Sequence, residues 1–361
     1  FAPMKPYLAK SDYVFANMET PLSEEKDKLT CMQYEFCSHI SFARALKEAG
    51  VHCVGAANNH CLDRGYPGLL HTIQCLDRLE LRHSGIYDTE KKISPTILDV
   101  RGCRIGFLSY TYGTNAFSNH QYLSFRERRA VNLLQGQEED RFIVRSPYKW
   151  MQEHKETTTA KIYFRIRNQI SKKPIYERRN LDFYRRRLIS QDLHALKKAK
   201  VDKIFFYLHI GGQYNQEPIP YTRKMIAHLM GEGCDVVIGN HEHVIHGYVQ
   251  DASKKRFGTY ALGNFLGSAG TLHPPHDRCC DFSILLNAYI NPEDKEIQGY
   301  TYSVTKTLYN EKTQKFEVHP AFELARSLSG KEREEMMQKA LQAAFLFSGK
   351  REKELVEEFA I

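Results

Sequence analysis

Residues 233–247, GCDVVIGNHEHVIHG, decide how the rest of the chain is read. Asp235 to Gly239 is a short run rich in β-branched residues, the mark of a buried strand, and Gly239 frees the backbone to turn before His241, Glu242 and His243. Two imidazoles thus stand at a strand's end. In an extended segment residues i and i+2 point the same way, so His241 and His243 aim at one centre while Glu242 faces elsewhere. A metal ion is the natural occupant of such a pair. Loop histidines that only hydrogen-bond their neighbours are the commoner alternative when His-x-His stands alone.

Working outward, the same pattern recurs. A strand over Asp12–Asn17 delivers Glu19 to its carboxyl end, where Pro21 stops continuation. Phe42, Ala45, Leu46 and Ala49 line one face of a helix that ends at Gly50. The strand Val51–Ala56 then runs into Asn58, Asn59, His60 and Asp63. A helix over Leu69–Leu81 follows, then a strand pair at Ser94–Val100 and Arg104–Tyr110. Leu181–Lys200 reads as helix, Lys203–Leu208 as a strand presenting His209, Tyr221–Gly231 as helix, and Arg256–Leu262 as a strand ending at Asn264. Beyond 280, strands at Phe282–Ile290 and Tyr300–Leu308 precede a charged helix from about Gly330. Polar clusters at the carboxyl ends of several strands are where α/β sheets build sites, and their repetition argues for one shared site.

The 361 residues, 42% hydrophobic, can bury a large core, and no apolar run reaches the length of a membrane-spanning helix. The chain begins at Phe1 without a charged-then-apolar leader, and an N-terminal segment is expected to lie outside it. The compartment stays open between the cytoplasm and a tether at the cell surface. Nine cysteines, an odd number, read as free buried thiols rather than a disulfide framework. The net charge of +8 is concentrated: residues 121–190 hold 17 Lys and Arg against 8 Asp and Glu, more than the surplus of the whole chain. Residues 116–180 have weak periodicity and read as a basic insertion flanking the cleft. They carry no nucleic-acid motif, so a solvated face or attraction to an acidic polymer or lipid is favoured over specific nucleic-acid binding.

DYVFANMETPL (12–22), GAANNHCLDRG (55–65), YLHIGGQY (207–214), GCDVVIGNHEHVIHG (233–247) and YALGNF (260–265) resemble, in order and spacing, the CapA family of capsule synthesis proteins, which are similar to calcineurin-like metallophosphoesterases. The resemblance covers residues 1–290 apart from the insertion; residues 291–361 are expected to pack on that core as strands and helix. It implies an α/β fold, a four-layered α/β/β/α sandwich, around one or two divalent metal ions, Mn, Zn or Fe. Glu19, Asn59, His209, His241 and His243 would be metal ligands. His60 would be general acid or charge stabiliser, oriented by Asp63, and Tyr214 and Asn264 would contact substrate. The implied function is a metal-dependent hydrolase of capsule or poly-γ-glutamate biosynthesis. It would act on an anionic polymer or phosphoester through metal-activated water, alongside a capsule-synthesis membrane complex. The alternative is a non-catalytic assembly factor binding a polyanion through a vestigial centre.

Three departures qualify the resemblance. No Gly-Asp motif precedes Asp12, so one metal carboxylate lies outside this sequence or is lost. Ile210 and Gln213 replace an aromatic and an acid around the strand histidine. Glu242 stands between the two histidines where proline is common, which leaves the loop's rigidity to other contacts.

Overall fold

The computed structural model describes residues 1–32, 35–91, 93–124, 126–134, 137, 157–163, 183–253, 255–267, 279–312 and 314–361. In chain order its strands are β1 (Phe15–Asn17), β2 (Leu22–Ser23), β3 (Thr30–Met32), β4 (Glu35–His39), β5 (Cys53–Gly55), β6 (Arg82–Ser84), β7 (Thr96–Val100) and β8 (Cys103–Thr111). They continue as β9 (Lys203–His209), β10 (Val236–Asn240), β11 (Ile245–Gln250), β12 (Phe257–Leu262), β13 (Phe282–Ile290), β14 (Ile297–Asn310), β15 (Lys315–Pro320) and β16 (Phe359–Ala360). The longer helices are α1 (Ile40–Ala49), α2 (Gly65–Arg78), α3 (Phe183–Lys198), α4 (Pro220–Gly231), α5 (Ala321–Ser327) and α6 (Gly330–Ser348).

Strands β1, β5 and β6 pair in parallel as one sheet. A second sheet has the order β11-β12-β10-β9-β8-β7, parallel through β12, β10, β9 and β8 and antiparallel at both edges. Helices α1 and α2 cover one face of the smaller sheet, packing Ile40, Ala43, Leu46 and Leu76 with Val54. Helices α3 and α4 cover one face of the larger, packing Leu193, Leu196, Ile226 and Leu229 with Leu108, Phe206 and Leu208. The other faces meet: Cys53, Leu98, Phe107 and Tyr207 share a cluster with Phe15, and the rings of Phe15 and Phe107 are 4.7 Å apart. Ser84 Oγ donates to the Phe107 carbonyl across this seam. Burial on both faces explains why β8 and β9 read as near-continuous apolar runs.

Strands β13, β14 and β15 form an antiparallel sheet with β16 beside β14. It shares a core with α6 in which Phe257, Phe282, Tyr302 and Phe347 are fully buried. Each such side chain contributes roughly 1.5–3 kcal/mol by leaving water. The described cysteine side chains are buried and free. No helix among the described residues is long and apolar enough to cross a membrane.

The structure departs from the sequence reading in three places. Helix α2 begins at Gly65 rather than Leu69, because Pro67 falls in the first turn, where its missing N–H has no intrahelical partner to lose. The hairpin β3–β4 and strands β2, β6, β11, β15 and β16 were not anticipated. Finally, the first part of the expected insertion belongs to the core: Leu123, Ala130, Val131 and Leu133 pack with Leu62, Leu69 and Ile86, and Thr111 and Ile86 bridge to Leu133 and Val131. Most of the remaining insertion, 138–156 and 164–180, lies outside the described residues.

Candidate functional site

Strand register sets the site. Thr111 stands opposite His209 and His209 opposite Asn240, so β8, β9 and β10 finish in line. Asn17 pairs with Gly55 in the other sheet, and Glu19 and Asn59-His60 leave from those ends. Both sheets therefore direct their carboxyl-end loops to one place, the usual location of sites in α/β proteins.

Glu19 Oε1 lies 3.5 Å from His209 Nε2. The same ring nitrogen is 2.8 Å from Asn59 Oδ1, which can only accept, so His209 Nε2 donates. The rings of His209 and His241 are 4.7 Å apart between centroids. One ligand atom from each of Glu19, His209 and His241 lies within 4.8 Å of the other two, a group that could hold a metal ion. A direct observation supports the fit: Glu19 Oε1, His209 Nδ1 and His241 Nδ1 are all buried without a hydrogen-bond partner. Such atoms cost about 1–3 kcal/mol each when left unsatisfied, and a cation satisfies acceptors of this kind. Burial, reinforced by neighbouring imidazoles that include His60 and His243, pushes the pKa of His209 well below the usual histidine range. His241 is lowered by burial and by His243 and His60. Both rings are thus neutral near pH 7, the form that ligates metals.

His60 is held beside this group by Asp63. His60 Nδ1 lies 2.6 Å from Asp63 Oδ2, the ring N–H donating, which orients the imidazole and leaves Nε2 as the nitrogen available to a substrate. Asp63 is itself fixed by the Phe36 amide at 2.7 Å and by Asn119 Nδ2 at 3.2 Å. The Phe36 ring stacks on His60 with centroids 4.0 Å apart.

The backbone at His243 departs from the extended form expected of it. His241 and His243 have φ of 102° and 59°, so the alternation of an extended chain does not apply and the rings stand 6.0 Å apart. His243 is not in the three-residue group. Its Nδ1 meets Asn264 Oδ1 at 2.9 Å and its ring stacks on Tyr214 at 5.5 Å. Asn264 and Tyr214 therefore both brace His243. Burial, with Cys280 and Glu19 nearby, pushes the Tyr214 hydroxyl up to about 12, and it stays a phenol at neutral pH.

Gly239 does not make the turn expected of it. It lies inside β10, where a Cβ would come 2.3 Å from the Tyr260 carbonyl oxygen, so glycine is needed for the close approach of β12. Glu242 is fully buried, accepts from the Gly212 amide at 2.9 Å, and its carbonyl accepts from Tyr214 N at 2.8 Å. Glycine at 211, with φ of 130°, makes room for that carboxylate, since a Cβ would lie 2.4 Å from Oε1. The loop that proline would stiffen is stiffened here by a buried clamp.

Several site residues were not singled out from sequence. Asn17 Nδ2 donates to Glu19 Oε2, and Asn115 accepts from Asn59 Nδ2. Both stand in polar clusters at strand ends, which was the available signal. Phe36 had none, because its hairpin is visible only in three dimensions.

Comparison with known proteins bears on this geometry. Residues 1–269 match the family described as bacterial capsule synthesis protein PGA_cap. The capsule biosynthesis protein CapA of Bacillus anthracis is 25% identical over 275 residues, covering 75% of this chain and 54% of that protein. The PGA biosynthesis protein CapA of Bacillus subtilis (strain 168) is 22% identical over 276 residues, covering 75% and 57%. An uncharacterized protein, y4sH, of Sinorhizobium fredii (strain NBRC 101917 / NGR234) is 22% identical over 290 residues, covering 73% and 61%. The chain thus spans between about half and three-fifths of these relatives' length. With the match extending through every strand that feeds the site, the chain belongs to the CapA family of bacterial capsule synthesis proteins.

Proposed function

We propose that this is a metal-dependent hydrolytic domain of capsule or poly-γ-glutamate biosynthesis, acting on an anionic polymer or a phosphoester. The observation that carries the reading is that Glu19, His209 and His241 converge as a group that could hold an ion and that each keeps a buried polar atom without a hydrogen-bond partner. The helix layers outside two facing sheets support the four-layered α/β/β/α sandwich of calcineurin-like phosphoesterases as its scaffold.

Glu19, His209 and His241 would hold the ion, with Asn59 and His243 beside them. A carboxylate, amide and imidazole set suits Mn, Zn or Fe. When bound, such an ion acts as a Lewis acid and lowers the pKa of water. The protein's own groups supply the rest. His60, oriented by its Nδ1 contact with Asp63, would use Nε2 to give the leaving group a proton or to stabilise charge developing there. Asn264 and Tyr214 orient His243, and the Tyr214 phenol is a donor for an anionic substrate. The basic segment 116–180 would concentrate a polyanion near the cleft, an attraction that salt weakens.

The test is turnover of bis-p-nitrophenyl phosphate and of poly-γ-glutamate by the purified chain with Mn or Zn. Activity abolished by chelation and restored by metal is expected. A non-catalytic assembly factor is the second reading, favoured by one observation: the donor group contains a single carboxylate, and Asp12 pairs with Arg101 instead. Metal and polyanion binding without any turnover would establish that reading.

A further inference from the structure

We propose that Glu24, His71 and Cys75 form a second metal site, for a borderline-soft divalent ion such as Zn2+, at the flank of α2, where a buried thiol meets a half-buried imidazole and an exposed carboxylate. His71 and Cys75 are four residues apart on that helix and so lie one turn apart on one face. Glu24 follows β2, which is pinned to the helix where the Leu22 amide donates to Thr72 Oγ1 at 3.0 Å. One ligand atom from each of the three residues lies within 4.8 Å of the other two. An independent observation points to a ligand: His71 Nε2 is buried and has no hydrogen-bond partner. Glu24 and His71 line an open groove of about 370 Å³, together with Gln74, Asp77 and Arg78.

Arg78 shows how these donors are kept together. Its Nη2 lies 2.8 Å from Glu24 Oε2 and 3.3 Å from Cys75 Sγ, so one positive charge already bridges two of the three groups. The Arg78 side chain is about half exposed, free to swing into water when an ion takes its place. Binding breaks those two contacts, forms three metal bonds, and releases the Cys75 proton to solvent. Thiolate, imidazole and carboxylate with a fourth position open is a zinc-type set. No residue is shared with the Glu19 group, which contains no sulfur.

That difference makes the two sites separable. Co2+ titrated into the full chain should give a near-ultraviolet thiolate-to-cobalt charge-transfer band, which nitrogen and oxygen ligands cannot produce. Cys75→Ser should abolish the band. His71→Ala, which leaves the buried thiol in place, should weaken Co2+ binding read at the band at least about tenfold, the lower end of what loss of even an outer-shell partner costs. His241→Ala should keep the band. Absence of the band in the unaltered chain, its survival in Cys75→Ser, or unchanged affinity in folded His71→Ala overturns the proposal.

Discussion

His209 and His241 differ from surface histidines in the charge state they can tolerate, and two predictions follow from that. Burial lowers both pKa values in the folded protein, whereas in the unfolded chain each would titrate near 6.5. Below about pH 6.5 the unfolded state takes up protons that the folded state refuses. The metal-free protein should therefore hold its stability above that pH and lose it as pH falls further. Urea midpoints measured on either side of that pH check the sign; a midpoint unmoved by acid would mean that the rings protonate in place. His60 should behave differently from the ligands. His241→Ala should lower metal content and turnover together, while His60→Ala should retain the metal and lose roughly 100- to 10,000-fold in kcat. The defect should shrink with p-nitrophenolate as leaving group if His60 is an acid. Metal loss in His60→Ala would make it a ligand instead.

Among the elements, the strands ending in His209 and at Asn240 were legible because two covered faces leave little choice but an apolar run. The hairpin β3–β4 was not, since its partners are short and its value lies in what it touches: Phe36 on His60 and Asp63. The backbone course at His243 was missed for a related reason. Periodicity describes extended or helical backbone, and φ at His241 and His243 is neither. Positive φ at the two ligand-type histidines that flank Glu242 stores strain of order 1–3 kcal/mol each, which the surrounding contacts must oppose. The Glu242 clamp is one such contact. Gly211→Ala should cost about 1–3 kcal/mol in denaturant midpoint and loosen Tyr214, because it both strains the backbone and drives a methyl against Oε1. Glu242→Gln, which keeps an oxygen for the Gly212 amide, should be milder. Equal defects would mean that the carboxylate charge, not its shape, is what the loop requires.

For the whole molecule, the sequence reading reached the α/β class, the family and the strands β13 and β14 of the closing sheet but not its completion, because strands β15 and β16 find their partner, β14, through pairings that no local pattern announces. Helix α6 is bound to that sheet through Phe347, and Phe347→Ala should cost about 3–5 kcal/mol in chemical denaturation. Loss of much less would mean that α6 docks only loosely. The arrangement of the site itself reaches further. Glu19, Asn59 and His60 hang from one sheet, His209, His241 and His243 from the other, and below them the two sheets meet across the apolar seam of Phe15, Phe107 and Phe205. An occupant gripped from both sides is a keystone as well as a reagent. At a hundred times its dissociation constant it would add about 2.7 kcal/mol to the closure of the arch, so the loaded protein should announce itself by its resistance to heat before any substrate is known.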